Sequence, residues 1–560
     1  MYKYQINQFT PSITIGDGVS HSLFYTQRLL LELGIESVIF SDQIDERLHE
    51  SVKHIDTYRD CESNILIYHH SIGHKNHDLI MSFKDKKILV YHNITPAHFF
   101  PNAKNLFDAC TLGRMQAQSS KNFFVASYTD SDYNTKELLS FGYRQVETIP
   151  ILKDFHGLDL SSFHAKISNQ NENTYNILHV GRIVSNKAQH ELINIVYGML
   201  QLGVYDVKLF LVGGISEPAY ENYLRRLVDN LSLSQNIEFC GKVDDDTLIG
   251  YYKNCDLFLT LSNHEGFCIP LVEAMLFDVP VLAYAAGGIN TTIPKCSILH
   301  QKSTDAIVEK ILDIKNNPLT RYDMVLEQRN HLKQFFKHSV LSKFVDFLNR
   351  YLDLNISFEV NDKATTNSSF VIEGPFDSSY SLSIVNQNLA LELSKQKNVC
   401  LYSTEGFGDF RPNEKYLSSH PKIKSLICSS GDDIDVTIRN LYPPRTNAMR
   451  GIHKIMGPYG WEESKFPQEY VRQFNSRLTV IACMSNYVKN LLQNNGVKIP
   501  IVVTGLGVEN ILMIEPQKLD FELPGGKKLL HISSCFPRKG ADVLLKAFDK
   551  LCTDYDDLVL

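Results

Sequence analysis

No segment of the sequence approaches the roughly 20 consecutive apolar residues that are needed to span a lipid bilayer. The N-terminus also lacks the apolar run of a secretory signal peptide. Lys and Arg number 56 against 63 Asp and Glu, so the basic excess typical of nucleic-acid binding is missing. The 11 cysteines form no CxxC pair and no regular framework, which indicates reduced thiols. These absences favour a cytoplasmic protein that has no nucleic-acid partner.

What is present is an α/β pattern. The chain has 560 residues, 43% of them hydrophobic and 21% charged, which is typical of a globular protein of about three to five domains. Short β-rich apolar runs alternate with longer segments of helical periodicity, such as 21–33 and 220–231. This alternation predicts βαβ units and parallel sheets covered on both faces. The runs lie at 37–40, 64–68, 87–92, 123–127, 176–180, 207–213, 256–261 and 280–284.

A long internal repeat divides the chain. LHVGRIVSNKAQHELI begins at Leu178 and LHISSCFPRKGADVLL begins at Leu530, an offset of 352 residues, and 15–34 resembles 372–393 at a similar offset. The polar segment 355–370 marks the junction of the two copies. The second copy stops inside a strand-like run, so we expect the chain to be a fragment of a longer protein. The predicted domains are two lobes at 1–165 and 166–352, a linker at 353–369, a third lobe at 370–525 and a partial fourth at 526–560.

The most informative segment is 239–288, which contains Glu265 and Glu273 eight residues apart. Pro270 between them suits the first turn of a helix, where its missing N–H costs little. Glu265 is then expected in the loop before a helix, with Glu273 about one turn inside it. Open α/β sheets bind ligands at this position, at the carboxyl ends of their strands.

EGFCIPLVEAM (265–275) resembles the E-x7-E signature of retaining GT-B glycosyltransferases of family 4. Collinear matches are the turn at 16–19, YHNITP (91–96), GRIVSNK (181–187) and AAGG (285–288). In the second copy, RNLYPPR (439–445), GPYGWEES (457–464) and SSCFPRKG (533–540) resemble tandem bacterial polymannosyltransferases of O-antigen and capsule synthesis. The resemblance implies a GT-B fold, which has two Rossmann-like lobes, followed by a partial second GT-B module.

The resemblance also implies roles for individual residues. Arg182 and Lys187 would stabilise the departing diphosphate, a task that metal ions perform in other transferases, so no metal or cofactor is expected. Gly18 would let its backbone N–H approach a phosphate, because glycine has no Cβ. In the second copy Arg538 and Lys539 would be the equivalent cations, although Ser534 stands where the first copy has Arg182. The second donor site is therefore expected to be incomplete.

The remaining predicted contacts concern the sugar and the ribose. The family pattern assigns Glu273 to the donor ribose and Glu265 to the sugar ring, assisted by N–H groups near Phe267 and Cys268. His92 would reach across the cleft towards the donor sugar and the reacting centre.

Simpler interpretations stand beside these assignments. Gly16-x-Gly18 lacks the third glycine of a dinucleotide fingerprint, since His21 occupies that position. The stretch 130–132 imitates a metal-binding DxD but is more typical of a helix N-cap, and 244–246 favours a solvated helix start. The histidines of 69–77 lack the thiolate partner and the regular spacing of a metal site, which favours a polar βα loop.

The resemblance thus implies transfer of a hexose, with retention, onto a growing bacterial surface polysaccharide. The expected donor is GDP-mannose, and the expected acceptor is a lipid-linked glycan at the inner face of the cytoplasmic membrane, with peripheral membrane contact or an export-complex partner. Two alternatives stay open. One is a different donor, such as UDP-glucose or a nucleotide-linked deoxyhexose. The other is a glycan-binding scaffold with a degenerate transferase fold.

Overall fold

The computed structural model describes residues 4–152, 174–356, 369–404, 412–427, 434–446, 449, 451–507, 515, 521–522, 525–531 and 539–560. The chain forms two compact units, Met1–Gly505 and Leu506–Leu560. The described part of the chain contains no helix that is both long enough and apolar enough to cross a membrane.

The first sheet has seven parallel strands in the order β3-β2-β1-β4-β5-β6-β7. All six residues of β4 are buried, as expected for a parallel strand covered on both faces. Its strands are β1 Ile6–Ile13, β2 Ile39–Ile44, β3 Lys53–His54, β4 Ile65–His70, β5 Lys86–Tyr91, β6 Ala126–Thr129 and β7 Val146–Thr148. Its helices are α1 Gly18–Glu32, α2 His77–Ser82, α3 Lys104–Ser119 and α4 Asp132–Ser140.

The second sheet has six parallel strands in the order β10-β9-β8-β11-β12-β13. This is the order of a Rossmann sheet, whose ligand crevice lies where the order reverses, between its first and fourth strands. Its strands are β8 Tyr175–Val180, β9 Val207–Val212, β10 Ile237–Gly241, β11 Leu257–Thr260, β12 Val281–Tyr284 and β13 Ile298–Leu299. Its helices are α5 Gln189–Gln201, α6 Pro218–Asn230, α7 Asp245–Asn254, α8 Ile269–Leu276, α9 Ile289–Thr292, α10 Thr304–Asn316 and α11 Pro318–Leu332.

The helix that follows, α12 (Lys337–Leu352), returns to the first sheet. Its buried residues, among them Phe344, Phe347 and Leu348, share one core with Ile6 and Tyr128 of that sheet. We therefore call the first sheet with α1–α4 and α12 the first lobe, and the second sheet with α5–α11 the second lobe.

A third sheet follows, in the order β15-β14-β16-β17-β18-β19. The first sheet has the same order once its edge strand β3 is left out. The strands are β14 Ser369–Glu373, β15 Asn398–Tyr402, β16 Val436–Arg439, β17 His453–Tyr459, β18 Val480–Cys483 and β19 Ile501–Val503. Helices span Ser381–Leu393, Glu414–Ser418, Pro421–Lys424, Gln468–Arg477 and Asn486–Asn494. The unit Leu506–Leu560 contains β20 Lys527–Lys528, a helix at Ala541–Leu551 and β21 Leu558–Val559.

The predicted α/β alternation is confirmed, since each of the eight apolar runs contributes to a strand and both helical segments form helices. The predicted boundary at 165/166 and most of the linker 353–369 lie outside the described residues, so the domain limits stay predictions. Among the residues that the structure describes, eight cysteines carry free thiols. For Cys400, which is disulfide-bonded, the expectation of a reduced thiol is wrong.

Of the histidines of 69–77, only His74 lies in the predicted loop, because His69 and His70 belong to strand β4 and His77 begins helix α2. Three histidine nitrogens surround the Tyr68 hydroxyl, those of His70 at 2.8 Å, His74 at 2.7 Å and His77 at 3.1 Å. Nε2 of His70 lies 2.9 Å from the Gly113 carbonyl and donates to it, so its Nδ1 accepts from the Tyr68 hydroxyl. The group is thus a hydrogen-bonded core of neutral rings.

The burial of these rings predicts acid sensitivity. Burial lowers the pKa of His70 to about 3 and that of His74 to about 4. The ordinary histidine value is about 6.5, so between these limits the unfolded chain holds more protons than the folded one. Stability from these rings is complete above pH about 6.5 and is lost as the pH falls towards 4, at about 1.4 kcal/mol per pH unit for each proton.

Urea unfolding across this pH range, followed by circular dichroism, measures the effect. We expect the free energy of unfolding to fall less steeply with decreasing pH in His70→Gln than in the unaltered protein. His49→Gln, at an exposed position, should leave this pH dependence unchanged. Equal slopes of unfolding free energy against pH in the two variants would contradict the attribution of acid sensitivity to the buried histidines.

Candidate functional site

The centre of the site is an ion pair between Lys187 and Glu265. Lys187 ends the 3-10 turn Ser185–Lys187 after β8, and Glu265 lies in the loop after β11. These two strands are paired, so their carboxyl ends lie side by side. Lys187 Nζ donates to both carboxylate oxygens of Glu265, at 2.7 and 2.8 Å. The pair thus occupies the crevice at which the strand order of the second sheet reverses.

Electrostatics keep this carboxylate ionised. Burial by itself raises the pKa of Glu265, but the Lys187 charge and hydrogen bonds from Lys187 and Ser262 outweigh it, so the pKa lies below its ordinary value. His179 lies beside the pair, and burial lowers its pKa to about 4. Its Nδ1 is hydrogen-bonded to the Leu259 carbonyl at 3.1 Å. A neutral imidazole and a charged pair therefore share one buried pocket.

Helix α8 begins at Ile269, four residues after Glu265, with Pro270 in its first turn as predicted. Phe267 is buried, and Cys268 precedes the helix in a left-handed conformation (φ 71°). Glu273 lies about one turn inside the helix, where its carboxylate accepts a hydrogen bond from the Tyr252 hydroxyl at 2.8 Å. The unpaired N–H groups of a helix N-terminus carry partial positive charge. This end of α8 is consequently suited to an anion.

A second helix N-terminus approaches α8 from the first lobe. Asp17 caps α1 by accepting from the Ser20 N–H, and Gly18 is the first helical residue. A Cβ on Gly18 would lie 2.7 Å from Cδ1 of Ile269, so glycine allows the close approach of α1 to the start of α8. Lys242 extends from the second lobe to the same loop, donating to the Ile15 carbonyl at 3.4 Å. Two helix N-termini and a lysine therefore face one cleft.

Direct contacts join the two lobes behind the Lys187–Glu265 pair. His264 Nε2 donates to Oδ1 of Asn93 at 2.7 Å. The Ser131 hydroxyl donates to the Gly266 carbonyl at 2.8 Å. A Cβ on Gly266 would lie 2.8 Å from Cβ of Asn93, so a larger residue would separate the lobes here. These contacts fix the loop that carries Glu265.

His92 lies in the first lobe with both ring nitrogens engaged. Nδ1 is 2.8 Å from Oδ2 of Asp130, and Nε2 is 2.9 Å from Nδ1 of His69. His69 in turn contacts Oε1 of Gln8 at 3.1 Å. The structure thus places the His92 ring in a chain of polar groups, while a Cβ on Gly266, next to Glu265, would lie 3.1 Å from the His92 carbonyl oxygen. Its role at the reacting centre stays a prediction.

The other predicted site residues are placed as follows. Arg182 is exposed, and its carbonyl accepts from the Gln189 side chain at 2.8 Å. Arg538 lies outside the described residues, and Lys539 is exposed in the second compact unit. Among the described residues, no group of three or more His, Cys, Asp or Glu side chains is arranged to hold a metal ion. Ser131 and Asp244 are N-caps of α4 and α7, which confirms the capping interpretation of 130–132 and 244–246.

Sequence reasoning missed several residues of the site. Asp130, treated as part of a cap, is the partner of His92. Asn93 and His264 adjoin singled-out residues but were not recognised as the contact between lobes. Asn93 lies within YHNITP and His264 lies directly before Glu265, and these positions could have indicated both residues.

The chain resembles known proteins over part of its length. Residues 161–334 match the family model described as glycosyl transferases group 1. Over 189 residues the chain is 29% identical to the capsular polysaccharide biosynthesis glycosyltransferase CapM of Staphylococcus aureus, covering 33% of this chain and 48% of CapM. Over 122 residues it is 31% identical to mannosylfructose-phosphate synthase of Agrobacterium fabrum, covering 21% and 27% of the two chains. The chain thus spans about half the length of CapM and less of the synthase.

One solved structure similar to this chain is sucrose-phosphate synthase from Thermosynechococcus elongatus. The two share 18% identity and a TM-score of 0.50, with 63% of this chain and 99% of that chain covered. At this identity the likeness concerns the fold. The two-lobed part of the chain is a GT-B fold, as predicted.

Proposed function

We propose that the two lobes form a retaining glycosyltransferase that transfers a hexose from a nucleotide sugar to a glycan. The observation that carries this proposal is the pair between Lys187 and the buried Glu265, which faces the N-termini of α1 and α8 in the cleft of a GT-B fold. The match of 161–334 to the group 1 family model supports it, because this range includes both residues.

A nucleotide-sugar donor leaves as a diphosphate, so negative charge develops at the leaving oxygen. The cleft offers positive charge at Lys187 and at the two helix N-termini, with Lys242 at its edge. The family pattern adds Arg182 to these groups. A bound diphosphate would compete with Glu265 for the Lys187 ammonium. Glu265 would then be free to accept hydrogen bonds from the sugar hydroxyls, with N–H groups near Phe267 and Cys268 assisting, while Glu273 holds the ribose hydroxyls. Donor binding would thereby replace the Lys187 ammonium by sugar hydroxyls as the hydrogen-bond partner of the Glu265 carboxylate.

Retention of configuration then follows from attack on the face that the diphosphate leaves. The bond between the anomeric carbon and the leaving oxygen breaks, the acceptor oxygen bonds to the same carbon, and its proton passes to the departing phosphate. A double displacement would need a nucleophilic carboxylate on the opposite face of the ring. The family pattern supplies no second carboxylate there, which favours same-face transfer.

The proposed donor is GDP-mannose, and the proposed acceptor is a lipid-linked surface polysaccharide at the inner face of the cytoplasmic membrane. Similarity to a mannosylfructose-phosphate synthase and to a capsular polysaccharide glycosyltransferase supports the sugar and the acceptor class. UDP-glucose or a deoxyhexose donor is the second candidate, because base and sugar selection depends on a few loop contacts. A glycan-binding scaffold is the third, and the charged groups retained at 182, 187, 265 and 273 argue against it.

A transfer assay tests the proposal. The chain is incubated with EDTA, a short mannoside primer and GDP-mannose, UDP-glucose or a deoxyhexose donor, and products are measured by mass spectrometry. We expect gain of one hexose with GDP-mannose alone. Transfer from another donor would replace the substrate but keep the mechanism, and dependence on added Mg²⁺ would refute the metal-free prediction. Failure of every nucleotide sugar to bind would leave the scaffold as the better explanation.

A further inference from the structure

A cavity of about 390 Å³ opens between the lobes. The first lobe contributes His98, Phe99 and Asn102 from the segment after β5. The second lobe contributes Tyr220 and Tyr223 of α6 together with Glu217 directly before that helix. None of these residues belongs to the donor site described above.

The cavity adjoins the catalytic pair through the backbone. Ser185 and Asn263 also line it, and each lies two residues before a member of that pair. The Ser185 hydroxyl donates to the Phe99 carbonyl at 3.0 Å, which joins the two walls of the cavity. The cavity is therefore lined in part by the two loops that carry Lys187 and Glu265.

The lining combines aromatic rings with neutral and acidic polar groups. Tyr220 and Tyr223 stack with ring centroids 6.1 Å apart, and Tyr223 is 45% exposed. Glu217 is buried, and its carboxylate accepts the Ser185 N–H at 3.0 Å. Asn263 accepts from Lys302 at 2.5 Å. The described residues that line the cavity include no Lys or Arg, although the Lys302 ammonium reaches its edge through Asn263. The Glu217 carboxylate opposes a second negative charge.

This combination fits a sugar better than a phosphate. The C–H face of a pyranose ring is apolar and packs on an aromatic ring, whereas its hydroxyls need donors and acceptors at the edge. The first turn of α6 lines the cavity and carries partial positive charge, but the Glu217 carboxylate directly before it would repel a phosphate or diphosphate. We propose that this cavity is a subsite for a neutral sugar residue of the acceptor glycan, with Tyr223 as its stacking platform. The inference rests on the proposed function, which supplies the acceptor.

Saturation-transfer NMR tests the subsite without requiring catalysis. The probes are methyl α-mannoside, methyl α-glucoside, methyl α-galactoside and an α-mannobiose. We expect at least one probe to receive saturation on its ring C–H protons and to bind about fivefold more weakly to Tyr223→Ala. Tyr223→Phe, which keeps the ring, should bind like the unaltered protein. Tyr197→Ala is the matched control, because Tyr197 is 38% exposed on the neighbouring helix α5 and does not line the cavity.

GDP and UDP binding is measured on the same samples. Nucleotide binding that persists in every variant shows that the donor site is intact. The subsite proposal is overturned if no probe is saturated, or if saturation survives Tyr223→Ala unchanged. Absence of nucleotide binding in the unaltered protein would instead refute the proposed function, while the sugar result would still decide whether the cavity binds sugar.

Discussion

Replacing Lys187 with Met should lower kcat/KM for sugar transfer by about 10²–10³-fold, the usual effect of removing one group that stabilises transition-state charge. Lys187 holds a full charge at the crevice of the second sheet, paired with a buried carboxylate in the free protein. Transfer is measured with the donor that the product assay identifies, and nucleotide affinity is measured separately. Because the charge develops as the bond breaks, kcat should fall more than affinity for the donor.

The double variant Lys187→Met/Glu265→Gln separates catalysis from structure. Lys187→Met leaves Glu265 as a buried unpaired carboxylate, which destabilises the fold, whereas the double variant removes both charges. We expect the double variant to regain thermal stability but to remain as inactive as the single one. Lys208→Met removes one partner of the half-exposed Lys208–Glu238 pair of the same lobe and should change activity by no more than about twofold. Recovered transfer in the double variant would mean that the pair is only structural.

The Asp278→Asn substitution should cost about 3–5 kcal/mol, the range for breaking a buried ion pair. Both carboxylate oxygens of Asp278 are used, since Oδ1 accepts from Arg329 at 2.7 Å and Oδ2 from Lys454. Burial raises the pKa of Asp278, but the two cations outweigh it and hold the pKa at about 2. Removing the carboxylate charge would leave two buried cations facing each other.

This network joins the second lobe to the third sheet. Arg329 of α11 also donates to the Ile452 carbonyl at 3.2 Å and to the Arg477 carbonyl at 2.8 Å. Differential scanning calorimetry of Asp278→Asn should therefore show that the third sheet unfolds at a lower temperature than in the unaltered protein. This transition should be separate from the transition of the two lobes. Asp353→Asn is the matched control, because Asp353 shares the left-handed backbone of Asp278 (φ 53° against 59°) but is exposed. Asp353→Asn should change the free energy of unfolding by no more than about 0.5 kcal/mol. Equal losses of stability in the two variants would refute the stabilising role of the Asp278 ion pairs.

Local features of this protein could be predicted from its sequence. The apolar run at 64–68 gave strand β4, and Pro270 marked the start of α8, because both signals depend on neighbouring residues. The family pattern also brought Lys187 and Glu265 to one cleft. Their direct pairing was not predicted, since the two residues are 78 positions apart and meet only through the adjacency of β8 and β11.

The features that could not be predicted from the sequence depend on contacts between residues far apart in the chain. Asp130 and His69, on other segments of the first sheet, hold the His92 ring, and neither contact was predicted. Asp278 and Lys454 are 176 positions apart, on either side of the polar segment at 355–370. No pattern of apolar spacing reports which buried charges meet across such distances. The pairing depends on how complete sheets and helices pack.

The return of α12 to the first lobe has a consequence for the order in which the protein is made. Domains generally fold during synthesis, beginning at the N-terminus. Here the first lobe needs Phe344, Phe347 and Leu348 to fill its core, and the ribosome adds them only after the whole second lobe. The second lobe can fold first, although it is encoded later. The first lobe must wait with part of its apolar surface uncovered until α12 emerges and closes it.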